Sequence, residues 1–221
     1  MPQLERDGEV FLLDLGADEN RFAPDFVSAL LAALDEVAGA EGPRALVTKA
    51  TGKFWSNGLD LDWLGSHADE AGPFVDDVHA LLARVLSLPV PAVAACQGHV
   101  FAAGAMLALA HDARVMRADR GYFCLPEVDI AIPFTPGMNA LIQARLPQPA
   151  QHEAMTTGRR YGGADALQAG IVDHAVAEDA VLQTALDRAG GLVSKAGPTL
   201  GTIKENMYAE ALRLLRTRTS S

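Results

Sequence analysis

Two short apolar runs constrain this chain more than any other feature. Residues 44–48 (RALVT) and 91–96 (PAVAAC) each read as a buried strand. Each follows an amphipathic helix, and each is followed by a loop containing glycine. Pro24 opens the first helix, with Phe26, Val27, Leu30, Leu31, Leu34 and Val37 at helical spacing before Gly39 and Gly42 end it. The second helix, over 73–88, carries Phe74, Val78, Leu81, Leu82, Val85 and Leu86 on one face. Further strands are expected at 10–15, 113–116 and 122–125, with a small-residue helix at 102–110 (AAGAMLALA). Strands that alternate with helices in this way predict an α/β fold with a largely parallel sheet. From about residue 135 the pattern is mainly helical, with one last strand candidate at 171–176 and a helical break at Gly197-Pro198.

The 221 residues, 49% of them hydrophobic, suffice for one sizeable core. There is no internal repeat, low-complexity tract or linker, so one domain over 1–221 is expected. A net charge of −10 disfavours nucleic acid as a partner. The cations Arg213, Arg216 and Arg218 read as a solvated last helical turn, where they offset the helix dipole. Cys96 and Cys124 read as buried free thiols, and neither they nor His99, His111, His152 and His174 show metal-ligand spacing. The polar N-terminal stretch does not read as a signal peptide, and no apolar run is long enough for a membrane span, so a cytoplasmic protein without a leader is expected.

Ligands of parallel α/β sheets bind at the carboxyl ends of strands, which directs attention to the two loops. The first, Phe54-Trp55-Ser56-Asn57-Gly58-Leu59-Asp60, follows the strand at 44–48. The second, Gln97-Gly98-His99-Val100-Phe101-Ala102-Ala103-Gly104, runs straight into a helix. Free N–H groups and a positive dipole end at that helix start favour incoming negative charge. Small residues there serve equally for close helix–strand packing. A third segment, 125–133 (LPEVDIAIP), sets Glu127 and Asp129 in an apolar run. A carboxylate in such surroundings titrates high enough to act as a base near neutral pH, and a salt-bridged or solvent-facing Glu127 is the alternative. Asp129 would face the opposite side of an extended segment and is a rival acid or base. Asp60 and Asp62 suit capping. Trp55, Trp63, Phe101 and Phe134 are candidates for lining an apolar tunnel or for the core.

These segments together resemble the crotonase superfamily, the enoyl-CoA hydratases and isomerases. The matching stretches, in family order, are WSNGLDL (55–61), GHVFAAGAML (98–107), HDARVM (111–116) and PEVDIAIP (126–133). Residues 158–172 (GRRYGGADALQAGIV) resemble a later family stretch. The resemblance implies the crotonase (ClpP-like) fold: a spiral of ββα units over about 1–134, then a mainly helical part over about 135–221. It implies an oxyanion hole made by the backbone amides of Asn57 and Ala103, with Glu127 as general base. It places substrate-binding positions at Trp55, Ser56, Gly58, Asp60, Phe101, Ala102, Gly104 and Phe134. Lys53 and Lys204 are the candidate partners of the coenzyme A phosphates, against the alternative of solvated surface lysines. Coenzyme A is part of the substrate, so no separate cofactor is implied, and the expected assembly is a homotrimer or a dimer of trimers.

One departure bears on the reaction. Hydratases of this family carry two glutamates, and the first falls at Met106 here. Met106 cannot activate water. Moving a double bond from C3–C4 to C2–C3 needs only one base that takes a proton from C2 and returns it to C4. The sub-pattern FWSNGLDLDWL, GHVFAAGAMLALAHDARVMRADRG and PEVDIAIP is most similar to plant-type Δ3,Δ2-enoyl-CoA isomerases. The expectation is therefore an isomerase of fatty-acid metabolism. The alternatives are an enoyl-CoA hydratase and a catalytically silent acyl-CoA-binding protein, the latter suited by Ala102 and Ala103 where the family has glycine.

Overall fold

The computed structural model describes residues 1–219. Its main sheet has six strands in the order β1-β2-β3-β5-β7-β9, and a smaller sheet has three, β4-β6-β8. The strands are β1 (Gln3–Asp7), β2 (Val10–Asp14), β3 (Ala45–Lys49), β4 (Phe54–Ser56), β5 (Ala92–Cys96), β6 (His99–Phe101), β7 (Ala113–Arg117), β8 (Phe123–Cys124) and β9 (His174–Val176). Only the β1–β2 pairing is antiparallel. The three strands of the small sheet pair in parallel, and Phe123 of β8 adds an antiparallel bridge to Tyr161.

The two sheets share one logic. β3, β5 and β7 lie side by side in the main sheet, and each is followed within a few residues by β4, β6 or β8 in the small one. A helix follows each strand pair: α2 (Leu61–Ser66) and α3 (Ala71–Leu86), then α4 (Ala103–Ala110), then a 3-10 turn (Pro126–Val128) leading to α5 (Pro136–Arg145). This is a spiral of strand–strand–helix units, the crotonase architecture. Because the small sheet is parallel, every turn leaves it at the same, carboxyl end of its strands.

Side-chain alternation explains the layers. In β3, Ala45 and Val47 join a cluster with Val93, Ala95, Ala113 and Val115, covered by Val181, Ala185 and Ala189 of α8 (Glu178–Gly190). Leu46, one residue out of phase, joins the main core on the other face. There α1 (Pro24–Gly39) and α3 supply the buried residues read from their helical spacing. Helix α4 is buried on all sides, as its run of small apolar residues requires.

Helices α6 (Gln148–Thr157), α7 (Gly163–Gln168), α9 (Pro198–Met207) and α10 (Ala209–Leu215) complete the C-terminal part. α10 packs so closely on α5 that a Cβ on Gly137 would lie 3.0 Å from Leu215. The expected strand at 171–176 is confined to β9, because the amides of Ile171 and Val172 both donate to Ala166 O where α7 ends. Among the described residues no helix is long and apolar enough to cross a membrane.

Candidate active site

A cavity of about 340 Å3 lies where the spiral turns end. Its wall includes Asn57 and Leu59 from the first loop, Ala102, Ala103 and Met106 from the second, and Glu127 from the third. Apolar side chains of the following segment, Ile130, Ile132, Pro133, Phe134 and Met138, close one side. Arg21, Leu61 and Asp62 complete the lining.

The two loops meet at a glycine. Gly58 has φ +82°, and a Cβ there would stand 2.8 Å from Ala102 Cβ and 3.0 Å from Ala103 N. Only glycine allows both the turn and the approach. Gly104 serves packing in the same way: its Cβ would stand 2.6 Å from Ser56 Oγ, so α4 sits directly on β4. Ala102 holds φ +50° and ψ −127°, a region that strains a residue with a side chain. Ala102→Gly is therefore expected to stabilise the fold by about 1 kcal/mol, read as a melting temperature raised by roughly 2–4 °C.

The structure corrects one of the two expected oxyanion donors. The Asn57 amide N–H donates to the Glu19 carbonyl at 2.9 Å, and its side chain donates to Glu19 Oε2 at 3.0 Å. That N–H has no capacity left for a substrate oxygen. Two residues on, Leu59 N–H has no acceptor among the described residues. Its neighbours hold it there: Gly58 O accepts from Phe22 N at 2.7 Å, and Asp60 N donates to Phe22 O at 2.9 Å. The parallel bridge Phe22↔Leu59 thus uses the groups on one side of the chain and leaves the Leu59 amide on the other. Ala103 is the first residue of α4, where an N–H has no helical partner, and among the described residues no other acceptor meets it. Leu59 and Ala103 therefore offer two unsatisfied amides to one cavity.

Glu127 faces them from the 3-10 turn, which forms because Pro126 fixes the first position and Asp129 N donates back to Pro126 O at 2.9 Å. Its side chain is 6% exposed and Oε2 has no hydrogen-bond partner. Burial pushes the carboxyl up from its ordinary 4.5 to about 7, against the lowering effect of its own backbone amide. The turn also corrects the extended geometry expected here. Asp129 does not line the cavity, and its carboxylate packs against Gly158. The other carboxylate on the wall is Asp62, 91% exposed and held by Arg21 at 2.9 Å.

Several expected binding residues have other work. Trp55 is fully buried, and its indole N–H points to Thr48 O at 3.4 Å. Ser56 is buried; its hydroxyl donates to Asn20 O at 2.9 Å and accepts from Gly58 N at 3.2 Å. Asp60 caps α2, accepting from Asp62 N and Trp63 N. Phe101 packs with Phe54 and His99 on the small sheet, and Trp63 packs against Phe74. Phe134 does line the cavity, as do Ala102 and Met106.

Neither lysine reaches the cavity wall. Lys53 stands over the Phe54 ring and borders a separate cleft with Arg117 and Arg120. Lys204 is 3% exposed, and its ammonium donates to Asp112 Oδ2 at 2.7 Å and to Val90 O at 3.1 Å. It is a buried ion pair, not a phosphate ligand. His111 is likewise structural: Nδ1 lies 2.8 Å from Leu107 O and Nε2 2.7 Å from Thr48 Oγ1, with burial holding its pKa down at about 4. Leu59, Ile130, Ile132 and Met138 were not singled out from sequence. A signal for the first was available, since it directly follows the glycine that reverses the loop.

Comparison with known proteins shows the family. A family model described as enoyl-CoA hydratase/isomerase matches residues 9–220. Enoyl-CoA delta isomerase 3 of Arabidopsis thaliana is 36% identical, with 97% of this chain and 95% of that protein aligned. The peroxisomal enoyl-CoA delta isomerase 2 of the same plant is 35% identical over 99% of this chain and 97% of its own. The crystal structure of a Mycobacterium tuberculosis enoyl-CoA isomerase superposes with a TM-score of 0.85 at 27% identity, covering 97% of this chain and 94% of that one. On this evidence the chain belongs to the enoyl-CoA hydratase/isomerase family.

Proposed function

We propose that this chain is a Δ3,Δ2-enoyl-CoA isomerase. The observation that carries the reading is a single buried carboxyl, Glu127, sharing one cavity with two free amides while Met106 fills the position of a second acid. The thioester oxygen accepts from Leu59 N–H and Ala103 N–H. Glu127 removes a proton from C2, the negative charge spreads over the dienolate to that oxygen, and the same carboxyl returns the proton at C4. The double bond then lies between C2 and C3, and no atom is gained or lost. A donor of this kind contributes about 2.7–4 kcal/mol in acyl-transfer sites. A well-placed base contributes about 10²–10⁴-fold in rate.

Hydration needs a second group to position water and deliver a proton. On this wall the other carboxylate is exposed and committed to Arg21, which disfavours the hydratase reading. A silent acyl-CoA-binding protein would have no use for a lone carboxyl held near neutrality. Purified protein with 3-hexenoyl-CoA is expected to produce the conjugated thioester, followed by its absorbance, at least 100-fold faster than it adds water to 2-hexenoyl-CoA. Comparable rates would restore the hydratase, and binding without turnover would favour the silent protein. The base acts deprotonated, so kcat/KM should fall as pH drops through about 7. An acyl-CoA substrate, assembly as a homotrimer or dimer of trimers, and residence in the cytoplasm belong to the same proposal. Two relatives are named as peroxisomal, which sets the alternative compartment.

A further inference from the structure

Four consecutive residues, 19–22, run along the first oxyanion loop and engage it at every step. The Glu19 carbonyl accepts from Asn57 N at 2.9 Å, and its carboxylate accepts from Asn57 Nδ2 at 3.0 Å. Asn20, buried and held at φ +49°, donates to Trp55 O at 3.1 Å, and its carbonyl accepts from the Ser56 hydroxyl. Phe22 exchanges backbone bonds with Gly58 and Asp60. Arg21 alone of the four lines the active-site cavity.

There its guanidinium joins three carboxylates. Nε donates to Glu19 Oε2 at 2.5 Å, and Nη1 donates to Asp62 Oδ2 at 2.9 Å and stands 3.8 Å from Asp60 Oδ1. Glu19 Oε2 is the same oxygen that Asn57 Nδ2 reaches, and Asp60 Oδ1 is the oxygen that caps α2. The bonds from Arg21 and Asn57 hold the Glu19 carboxyl below its ordinary 4.5, so it stays charged near neutral pH. One cation thus ties Asn57 to Asp60, and between those two residues lie only Gly58 and Leu59. An ion pair in open water contributes little. This one fronts the cavity, where a bound thioester would cover it and strengthen it. Without Arg21, the three carboxylates would repel one another across the same short span.

We propose that Arg21 is a positioning residue, which clamps Asn57 and Asp60 and so aims the Leu59 amide at the substrate oxygen. This rests on the isomerase reading for what that amide stabilises. Complete loss of one oxyanion donor costs about 10²–10³-fold in kcat, and a loosened one is expected to cost about tenfold.

Arg21→Met keeps an unbranched side chain and removes the charge. It should lower kcat for 3-hexenoyl-CoA about tenfold with KM within about threefold, and Arg21→Lys, a cation without the fork, should lose only about threefold. Salt separates the cause. Raising sodium chloride from about 0.05 to about 0.5 M screens the freed carboxylates, and should restore kcat of Arg21→Met about threefold while leaving the wild type nearly unchanged. Acetoacetyl-CoA reads the amide without turnover, because its enolate absorbs in the near ultraviolet. Its apparent pKa on the wild-type protein should lie below its value in water, and should rise by about one pH unit on Arg21→Met. All readings are taken where each variant is folded. A kcat within twofold of wild type, or an enolate pKa that Arg21→Met does not move, would overturn the proposal, and a lowered melting temperature alone would leave Arg21 merely structural. A wild type that leaves the enolate pKa at its value in water would overturn the two-amide site and the clamp with it. Absence of turnover in the wild type would sink the isomerase reading, and the enolate pKa would still decide the role of Arg21.

Discussion

Glu127→Gln should abolish nearly all isomerisation and, at pH 8, melt later than the wild type. The loss of rate is expected at about 10²–10⁴-fold, since Gln keeps the shape of the side chain and removes the base. The gain in stability follows from burial. The folded state holds the carboxyl proton up to about pH 7, whereas the unfolded chain releases it near 4.5. Between those values the folded state binds more protons, so stability falls as pH rises through the window, and the whole cost is present above it. At about 1.4 kcal/mol per pH unit the interval corresponds to roughly 3 kcal/mol. An unsatisfied Gln amide offsets part of this, leaving a gain of roughly 1–2 kcal/mol, or about 5 °C in melting temperature at pH 8. At pH 4.5 the gain should vanish. A variant that kept its activity would remove Glu127 from the mechanism. One that melted earlier at pH 8 would show the carboxylate to be paired in the native state.

Lys204→Met should have the largest effect on stability and little on substrate affinity. The ammonium links α9 to Asp112 and to the Val90 carbonyl, and Asp112 Oδ2 also accepts from Ala92 N at 2.8 Å at the start of β5. Removing the cation leaves a partly buried carboxylate beside the sheet with one donor. Breaking such a pair costs about 3–5 kcal/mol when both groups are fully buried. Asp112 is partly exposed, so the lower end, about 3 kcal/mol, is expected, corresponding to a melting temperature lowered by roughly 10 °C. Asp112→Asn in the same chain should recover part of the loss. KM for acyl-CoA should stay within twofold of wild type at a temperature where both proteins are folded. A tenfold rise in KM with unchanged melting would return Lys204 to phosphate binding.

The main sheet was legible because β3 and β5 are runs of apolar residues buried on both faces, and α1 and α3 show one apolar stripe each. β1 was not legible. It is a polar edge strand, Gln3–Asp7, whose pairing with β2 leaves no hydrophobic pattern. β6 lies within the glycine loop and spans only three residues. The site divides along the same line. That Glu127 and Ala103 stand on one cavity wall was readable because a lone carboxyl in an apolar run and a helix start announce themselves locally. The shift from Asn57 to Leu59 was not, because the group that engages Asn57 is the carbonyl of Glu19, 38 residues earlier. Lys204 misled for the same reason, since its partner Asp112 is 92 residues away.

The spiral has one more consequence. Its first two turns deliver the amides, at Leu59 and Ala103, and its third delivers the carboxyl at Glu127 and then the wall. In the proposed reaction the amides and the carboxyl come from the three loops, and much of the apolar lining comes from the segment that follows the 3-10 turn. Exchanging side chains within residues 130–134, with the backbone bonds of Ile130 N to Pro126 O and Ile132 N to Glu127 O kept, would change which molecules are admitted while the carboxyl stays where the turn holds it.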